Sequence, residues 1–329
     1  MRHGVGVPVS RTRWSALLIC ALTLAPVACN RSDKVTIAVI PKASADIFWQ
    51  SVHAGAVKGA GENGVEIVWN GPPNETDIAG EMKIAETMIN RHVDAIALAP
   101  SDRSAFKIVV DRAATAGIPV VIFDSGIDTE RYATFVATDN YQGGEIGADR
   151  LGEVLKGRGK IVMVKTVPGG ASTMAREDGF RHELKAKYPA IEIVDERFGM
   201  AMISESRRVA ENMLTAHPDL SGMFCSNESG SEGAAQTLKS RGSRLKLVGF
   251  DSSPMLIDLL KEGWIDSLVI QDPFRMGQTA VAEAAKAARK ENTPKKIFLP
   301  PRLVNLSNLN QPDVEAQLYP DLQRYLGAQ

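Results

Sequence analysis

Three cysteines in 329 residues are too few for a disulfide framework. Cys20 lies in an N-terminal apolar stretch, Cys29 follows it, and Cys225 stands alone in an apolar run, as a small buried hydrophobe would. No excess of charge of either sign exists. The 38 basic and 39 acidic side chains give a net charge of −1, which leaves no electrostatic footprint for nucleic acid. No G-x-G-x-x-G follows a strand and no G-x-x-x-x-G-K-[ST] occurs, so dinucleotide and P-loop nucleotide binding lose their main support. Glu228-Ser-Gly-Ser-Glu232 does not match the G-x-S-x-G nucleophile elbow. Pro168-Gly-Gly-Ala-Ser172 reads as a glycine-bearing turn before a helix rather than a phosphate loop. His53, His92, His182 and His217 show no metal-ligand spacing, so neither metal nor cofactor is implied. Low-complexity tracts and short repeats are also missing.

What is there begins with an export signal. Arg2, Arg11 and Arg13 precede an apolar stretch from Trp14 to Ala28, the length of a signal-peptide core and short for a spanning helix. Residues 1–29 are therefore assigned to a signal peptide. Ala25-Pro-Val-Ala28 before Cys29 resembles a bacterial lipoprotein processing box, with Pro26 where such boxes usually carry Leu, Val or Ile. Lipid attachment at Cys29 and simple cleavage near Ala28 both remain open, and both place the protein in the periplasm or cell envelope.

From residue 35 onward, short β-branched runs alternate with helical segments. Strands are expected at 35–40, 65–69, 95–99 and 119–123, with helices at 47–63, 76–91 and 102–116 between them. This alternation builds a parallel sheet covered on both faces and completes one lobe by residue 124. A second series opens near Ala133-Thr-Phe-Val-Ala137, with strands at 160–165, 191–196, 220–224, 246–250 and 267–270. The last long helix, 274–290, leads into Pro294, Pro300 and Pro301, which cannot continue it. The fold class is α/β, with two doubly wound parallel-sheet lobes.

Several apolar runs stop at one polar side chain: 119–123 at Asp124, 222–225 just before Asn227, 245–250 at Asp251, and 268–270 at Gln271. Open α/β sheets bind ligands outside the carboxyl ends of their strands. Each such residue alone reads as a turn residue; four of them in two lobes form a hydrogen-bonding ring for a small polyhydroxyl molecule. Asp46-Ile-Phe-Trp49 precedes the first helix. Asp46 is a helix-cap type, and Phe48 and Trp49, about 100° apart on a helix, cannot both face the core. One of the two rings is free to stack on a sugar face. Ser172-Thr-Met-Ala-Arg176 opens another helix. With Ser172 or Thr173 as its cap, Arg176 sits in the first turn against the helix dipole, which suggests that it is held for a ligand hydroxyl or for a carboxylate such as Asp124 or Asp251.

The chain from residue 35 resembles the ribose-binding-protein-like periplasmic sugar-binding proteins of ABC transporters, which share their fold with LacI-type repressor cores. The resemblance rests on an ordered series: Phe48-Trp49, Gly117-Ile-Pro-Val-Val to Asp124, Thr138-Asp-Asn140 with Gly143-Gly144, Arg176-x-x-Gly-Phe180, Leu214-Thr-Ala-His-Pro-Asp219, Asn227-Glu228, Val248-Gly-Phe-Asp251 and Gln271-Asp-Pro273. It implies a type I periplasmic binding protein whose chain crosses between lobes near 138–139, 271–272 and 300–301. One lobe would hold 34–138 plus 272–300, the other 139–271 plus 301–329. It also implies a monomer that closes on a sugar-like ligand held by Asp46, Phe48, Trp49, Asp124, Arg176, Asn227, Asp251 and Gln271, then docks on an ABC permease and its ATPase. An export signal in place of a DNA-binding headpiece excludes a repressor. Departures from the ribose binders are Asp46 for Asn, Ile47 for Pro, Ser125 for Arg, Ala99 for Asn, and Ala201 for a third stacking aromatic. These point away from ribose itself and toward a roomier cleft for a hexose, polyol or other small polar ligand. A sensory protein presenting the ligand to a chemoreceptor or histidine kinase would use the same cleft. An exported sugar-cleaving enzyme would need Asp124 and Asp251 as an acid/base pair, which Arg176 opposes by keeping both ionised.

Overall fold

The computed structural model describes residues 1–9 and 34–327. The apolar stretch 14–28, Cys20 and the proposed lipidation site Cys29 lie outside them. Residues 1–9 carry no helix or strand and belong to a unit separate from Lys34–Gln329.

In chain order the strands are β1 (Thr36–Ile40), β2 (Glu66–Trp69), β3 (Ala95–Leu98), β4 (Val120–Phe123), β5 (Thr134–Thr138), β6 (Arg158–Lys165), β7 (Ala190–Phe198), β8 (Gly222–Cys225), β9 (Lys246–Phe250), β10 (Ser267–Ile270), β11 (Lys296–Leu299) and β12 (Arg302–Val304). The helices are α1 (Ile47–Asn63), α2 (Ile78–Asn90), α3 (Lys107–Thr115), α4 (Asn140–Val154), α5 (Ala171–Lys187), α6 (Ile203–Ala216), α7 (Glu228–Arg241), α8 (Pro254–Lys261), α9 (Pro273–Ala288), α10 (Pro312–Leu318) and α11 (Leu322–Leu326).

Two six-stranded sheets result, in the orders β2-β1-β3-β4-β5-β11 and β7-β6-β8-β9-β10-β12. The two orders correspond strand for strand. Each chain half places its second strand outside its first and then reverses direction, so the switch points fall between β1 and β3 and between β6 and β8. Every pairing in the first sheet is parallel. In the second, β12 runs antiparallel to β10, a departure from the all-parallel expectation. Pro300 and Pro301 pass from β11 in one sheet to β12 in the other, a link too short for the helical crossover that parallel strands need.

The central strands are apolar on both faces because both faces are covered. Ile37 and Val39 enter one core cluster of the first sheet, Ala38 and Ile40 the other. Val162 with Val164, and Ile161 with Met163, divide the same way in the second. Gly64 ends α1 with φ 62°, its N–H donating to Ala60 O. Cys225 is free and fully buried, and desolvation pushes its thiol pKa up, so it behaves as core packing.

Two expectations need correction. The segment near Ala133–Ala137 does not open the second lobe: β5 pairs with β4 and β11 in the first sheet. Its composition matches either sheet, and only non-local pairing decides. Nor does Ser172 or Thr173 cap α5. The cap is Gly170, the helix starts at Ala171, and Arg176 is its sixth residue, beyond the first turn. A glycine cap leaves no side-chain signal to read, and the argument from the helix dipole lapses with it.

Candidate functional site

One cavity, of about 400 Å³ with the space open to solvent included, is lined by Asp46, Phe48, Trp49, Asp124, Arg176, Asn227, Asp251 and Gln271, which are all eight residues picked from the sequence. They come from the loops after β1 and β4 and the first turn of α1 in one half, and from the loops after β8, β9 and β10 and the second turn of α5 in the other. The strand-end residues of both halves thus line one cavity, where open α/β sheets place their ligands. Asp124 and Asp251 occupy corresponding places, after the fourth strand of each sheet order, and both take left-handed backbone conformations (φ 60° and 70°). Non-glycine residues held there are uncommon and cluster at functional sites.

Arg176 is 2 % exposed. Its Nε donates to Asn140 Oδ1 at 2.8 Å and its Nη1 to Ser226 O at 2.9 Å, while Asp251 Oδ2 lies 3.8 Å away. The guanidinium carbon sits 4.0 Å from the Phe250 ring centroid, a cation–π contact in a desolvated place. Asp251 is held in turn by Gln271 Nε2 at 2.6 Å and by the Glu228 backbone N–H at 2.9 Å. Thr138 Oγ1 donates to Gln271 Oε1 at 2.6 Å, so β5 of the first sheet touches the carboxyl end of β10 in the second. Burial raises the Asp251 pKa despite the nearby guanidinium. Of the two carboxylates the sequence offered as partners of Arg176, Asp251 is the one beside it.

Asp124 has its own cation. Lys42, 4 % exposed, places Nζ 2.6 Å from Asp124 Oδ2, a close ion contact rather than an aligned hydrogen bond. Lys42 Nζ also donates to Ser172 Oγ at 3.1 Å, and Ser172 N–H to Ser125 Oγ at 3.0 Å, so first-sheet loops and α5 are tied directly. A third tie joins the Phe48 N–H to Glu228 Oε2 at 3.2 Å. Burial, reinforced by Asp251 and Asp46, lifts the Glu228 carboxyl well above the usual range.

Asp46 occupies the N-cap position of α1, yet its side chain accepts no capping bond. It is half-buried beside the cavity, its pKa raised by burial and by Asp251. The capping reading therefore fails for Asp46, whereas Asn227, read from the sequence as a turn residue, caps α7: its Oδ1 accepts from Gly230 N–H at 3.0 Å while Nδ2 donates to Ser229 Oγ at 2.9 Å. Of the aromatic pair, Trp49 is the core member, 1 % exposed, its Nε1 bonded to Glu75 Oε1 at 3.1 Å. Phe48 is half-buried and packs edge-on against Trp49 at 4.9 Å.

The sequence reading did not place Lys42, Glu75, Ser172, Thr173, Glu228 or Ser229 in this wall. Lys42 was open to discovery by the same strand-end rule, two residues past Ile40. It escaped because a lysine reads by default as a solvated surface charge.

Residues 37–292 match the periplasmic binding protein domain, and the chain belongs to that family. The fold is that of a type I periplasmic binding protein. The D-ribose/D-allose-binding protein of Pseudomonas aeruginosa is 30 % identical over 283 residues, covering 82 % of this chain and 88 % of that one. A carbohydrate-transporter solute-binding protein from Agrobacterium radiobacter, solved with D-arabinose, superposes with a TM-score of 0.86 at 31 % identity, over 88 % of this chain and all of the other. A solute-binding protein from Agrobacterium vitis, solved with D-fucose, gives 0.84 at 33 % identity, over 86 % and 100 %.

Proposed function

We propose that this chain is the substrate-binding component of an ABC-type importer, capturing a sugar or similar small polyhydroxyl ligand between its lobes and delivering it to a membrane permease and its ATPase. The observation that carries the reading is the convergence of eight side chains from both sheets on one cavity. Carboxylates, amides, a guanidinium and an ammonium there match the alternating donors and acceptors of a polyol, and Phe48 offers a ring to its apolar face. A relative named for ribose and allose, and neighbours solved with arabinose and fucose, support a monosaccharide-sized occupant and favour transport over sensing. The lobes are 34–138 plus 272–300 and 139–271 plus 301–329. They close on the ligand because only the closed state offers both walls. The protein acts as a monomer in the periplasm, anchored through lipid at Cys29.

No turnover is expected. Asp124 is engaged by Lys42, and Asp251 by Gln271 and the Glu228 N–H, which leaves neither as a free acid/base pair. A thermal-shift screen of the purified protein against pentoses, hexoses and polyols tests the reading. A ligand at about 1,000 times its Kd adds about 4 kcal/mol, which raises Tm by several degrees or more. The shift should shrink at least tenfold in apparent affinity for Asp251→Asn, which keeps the shape and removes the charge. No shift with any polyol, or an unaltered one in the variant, overturns the assignment.

A further inference from the structure

A second hollow, of about 750 Å³ with the space open to solvent included, shares lining residues with the polar cavity. Phe48, Asp251 and Gln271 line both. The other walls are of a different kind: Ile47 from α1, Pro254 and Ile257 from α8, and Leu318, Tyr319 and Leu322 from the C-terminal segment. That segment is fixed in place. Gln317 Nε2 donates to Gln271 O at 2.9 Å, and Val314 and Leu318 pack on the second sheet's core, which includes Ile257. On the other side α11 packs against α1, and Tyr325 meets Phe274 at 5.4 Å.

Two adjoining compartments of opposite character define an amphiphilic ligand. The polar one is small and ringed by charge; the second is larger and mostly apolar in its exposed wall, with Ser51, Ser252, Ser253 and Gln317 as its further polar residues. Tyr319 remains 53 % exposed at its edge, apolar surface that an occupant would cover. We infer that the bound sugar carries an apolar substituent, an aryl or alkyl aglycone, which passes Phe48 into this second hollow. The inference rests on the polyhydroxyl reading of the first cavity and names the ligand class more narrowly: a glycoside rather than a free sugar. Small-molecule sites have mostly apolar walls with a few convergent polar groups, as the two hollows have when taken together.

The test is calorimetric titration of the purified protein with matched sets: free D-arabinose, D-galactose and D-fucose, and their methyl, phenyl and 4-nitrophenyl glycosides in both anomers. The expected result is at least one aryl glycoside binding tenfold or more tighter than the methyl glycoside of the same sugar and anomer. That gain is modest for burial of one aromatic ring. Tyr319→Ser, at an exposed position, should remove at least threefold of it and leave the methyl glycoside unaffected. Aryl and methyl glycosides of equal affinity, or a gain untouched by Tyr319→Ser, overturn the inference. Free sugars that bind while every glycoside is refused overturn it and leave the polyhydroxyl reading standing. Refusal of sugars and glycosides alike sinks both.

Discussion

Arg176→Ala is expected to lower Tm by about 10 °C and to weaken ligand binding by at least about 100-fold. Both numbers follow from its surroundings. The guanidinium is buried, and removing it strands Asp251, also buried, without its cation. Breaking a buried ion pair from one side costs about 3–5 kcal/mol, and each kcal/mol moves Tm by about 2–4 °C in chains of this order of size. The variant also deprives Asn140 Oδ1 and Ser226 O of their donor. For binding, charge-assisted hydrogen bonds are worth about 1.5–3 kcal/mol each. If the proposed ligand takes two such bonds from this planar fork, their loss accounts for two decades of affinity. Differential scanning calorimetry and titration with a sugar from the screen measure the two effects separately.

The combination Arg176→Met with Asp251→Asn separates stability from recognition. The stranded carboxylate is gone, so most of the lost stability should return, as when a buried ion pair gives way to packed neutral groups. Ligand affinity should not return, because both proposed partners of the ligand are then missing. Arg176→Lys should fall between, holding the charge but losing the fork that reaches Asn140 and Ser226 together.

What the sequence could reveal was whatever it encodes locally. The ends of β4, β9 and β10 are written as apolar runs closed by Asp124, Asp251 and Gln271, and the strand-end rule turns that pattern into a site without any contact information. Asp46 and Asn227 are both helix-start residues of the capping type, and nothing in their neighbours distinguishes them. The difference lies in where each side chain turns: Asn227 toward its own helix, Asp46 into the cleft without a capping bond. Lys42 lies within reach of the same strand-end rule, but its ion contact with Asp124, eighty-odd positions on, is tertiary. The position of β5 likewise depends on pairing with β4 and β11, the second of these more than 150 residues away. Arg176 was found for a reason that does not survive, since its helix begins earlier than a side-chain cap would suggest. Its true warrant is tertiary, a buried cation fixed between Asn140, Ser226 and Asp251.

Gly144→Ala is expected to cost about 3 kcal/mol and to weaken ligand binding at least tenfold, although residue 144 does not line the cavity. A Cβ at this position would lie 1.9 Å from Arg176 O and 2.7 Å from Phe180 N. Across the same contact, a Cβ on Gly179 would lie 2.1 Å from Tyr141 O. Helices α4 and α5 therefore meet backbone to backbone, and neither neighbour can rotate aside as a flexible side chain would. Overpacking of this kind costs about 1–3 kcal/mol or more, against which the helix propensity gained by replacing Gly returns at most about 1 kcal/mol. The relief available is to move α5 away from α4, and α5 carries Arg176, Ser172 and Thr173 into the cavity wall. A site whose groups must be held within about 0.5 Å cannot absorb that movement. Gly61→Ala supplies the opposite sign as a control. It is an exposed position inside α1 with open space around its Cβ, so Tm should rise by one to a few degrees, with about 1 kcal/mol of helix propensity gained and affinity unchanged. Measured Tm and Kd for the two alanine variants thus distinguish a glycine demanded by helix approach from one that is merely tolerated, and an unaltered Kd in Gly144→Ala would show that α5 can shift without carrying the site with it.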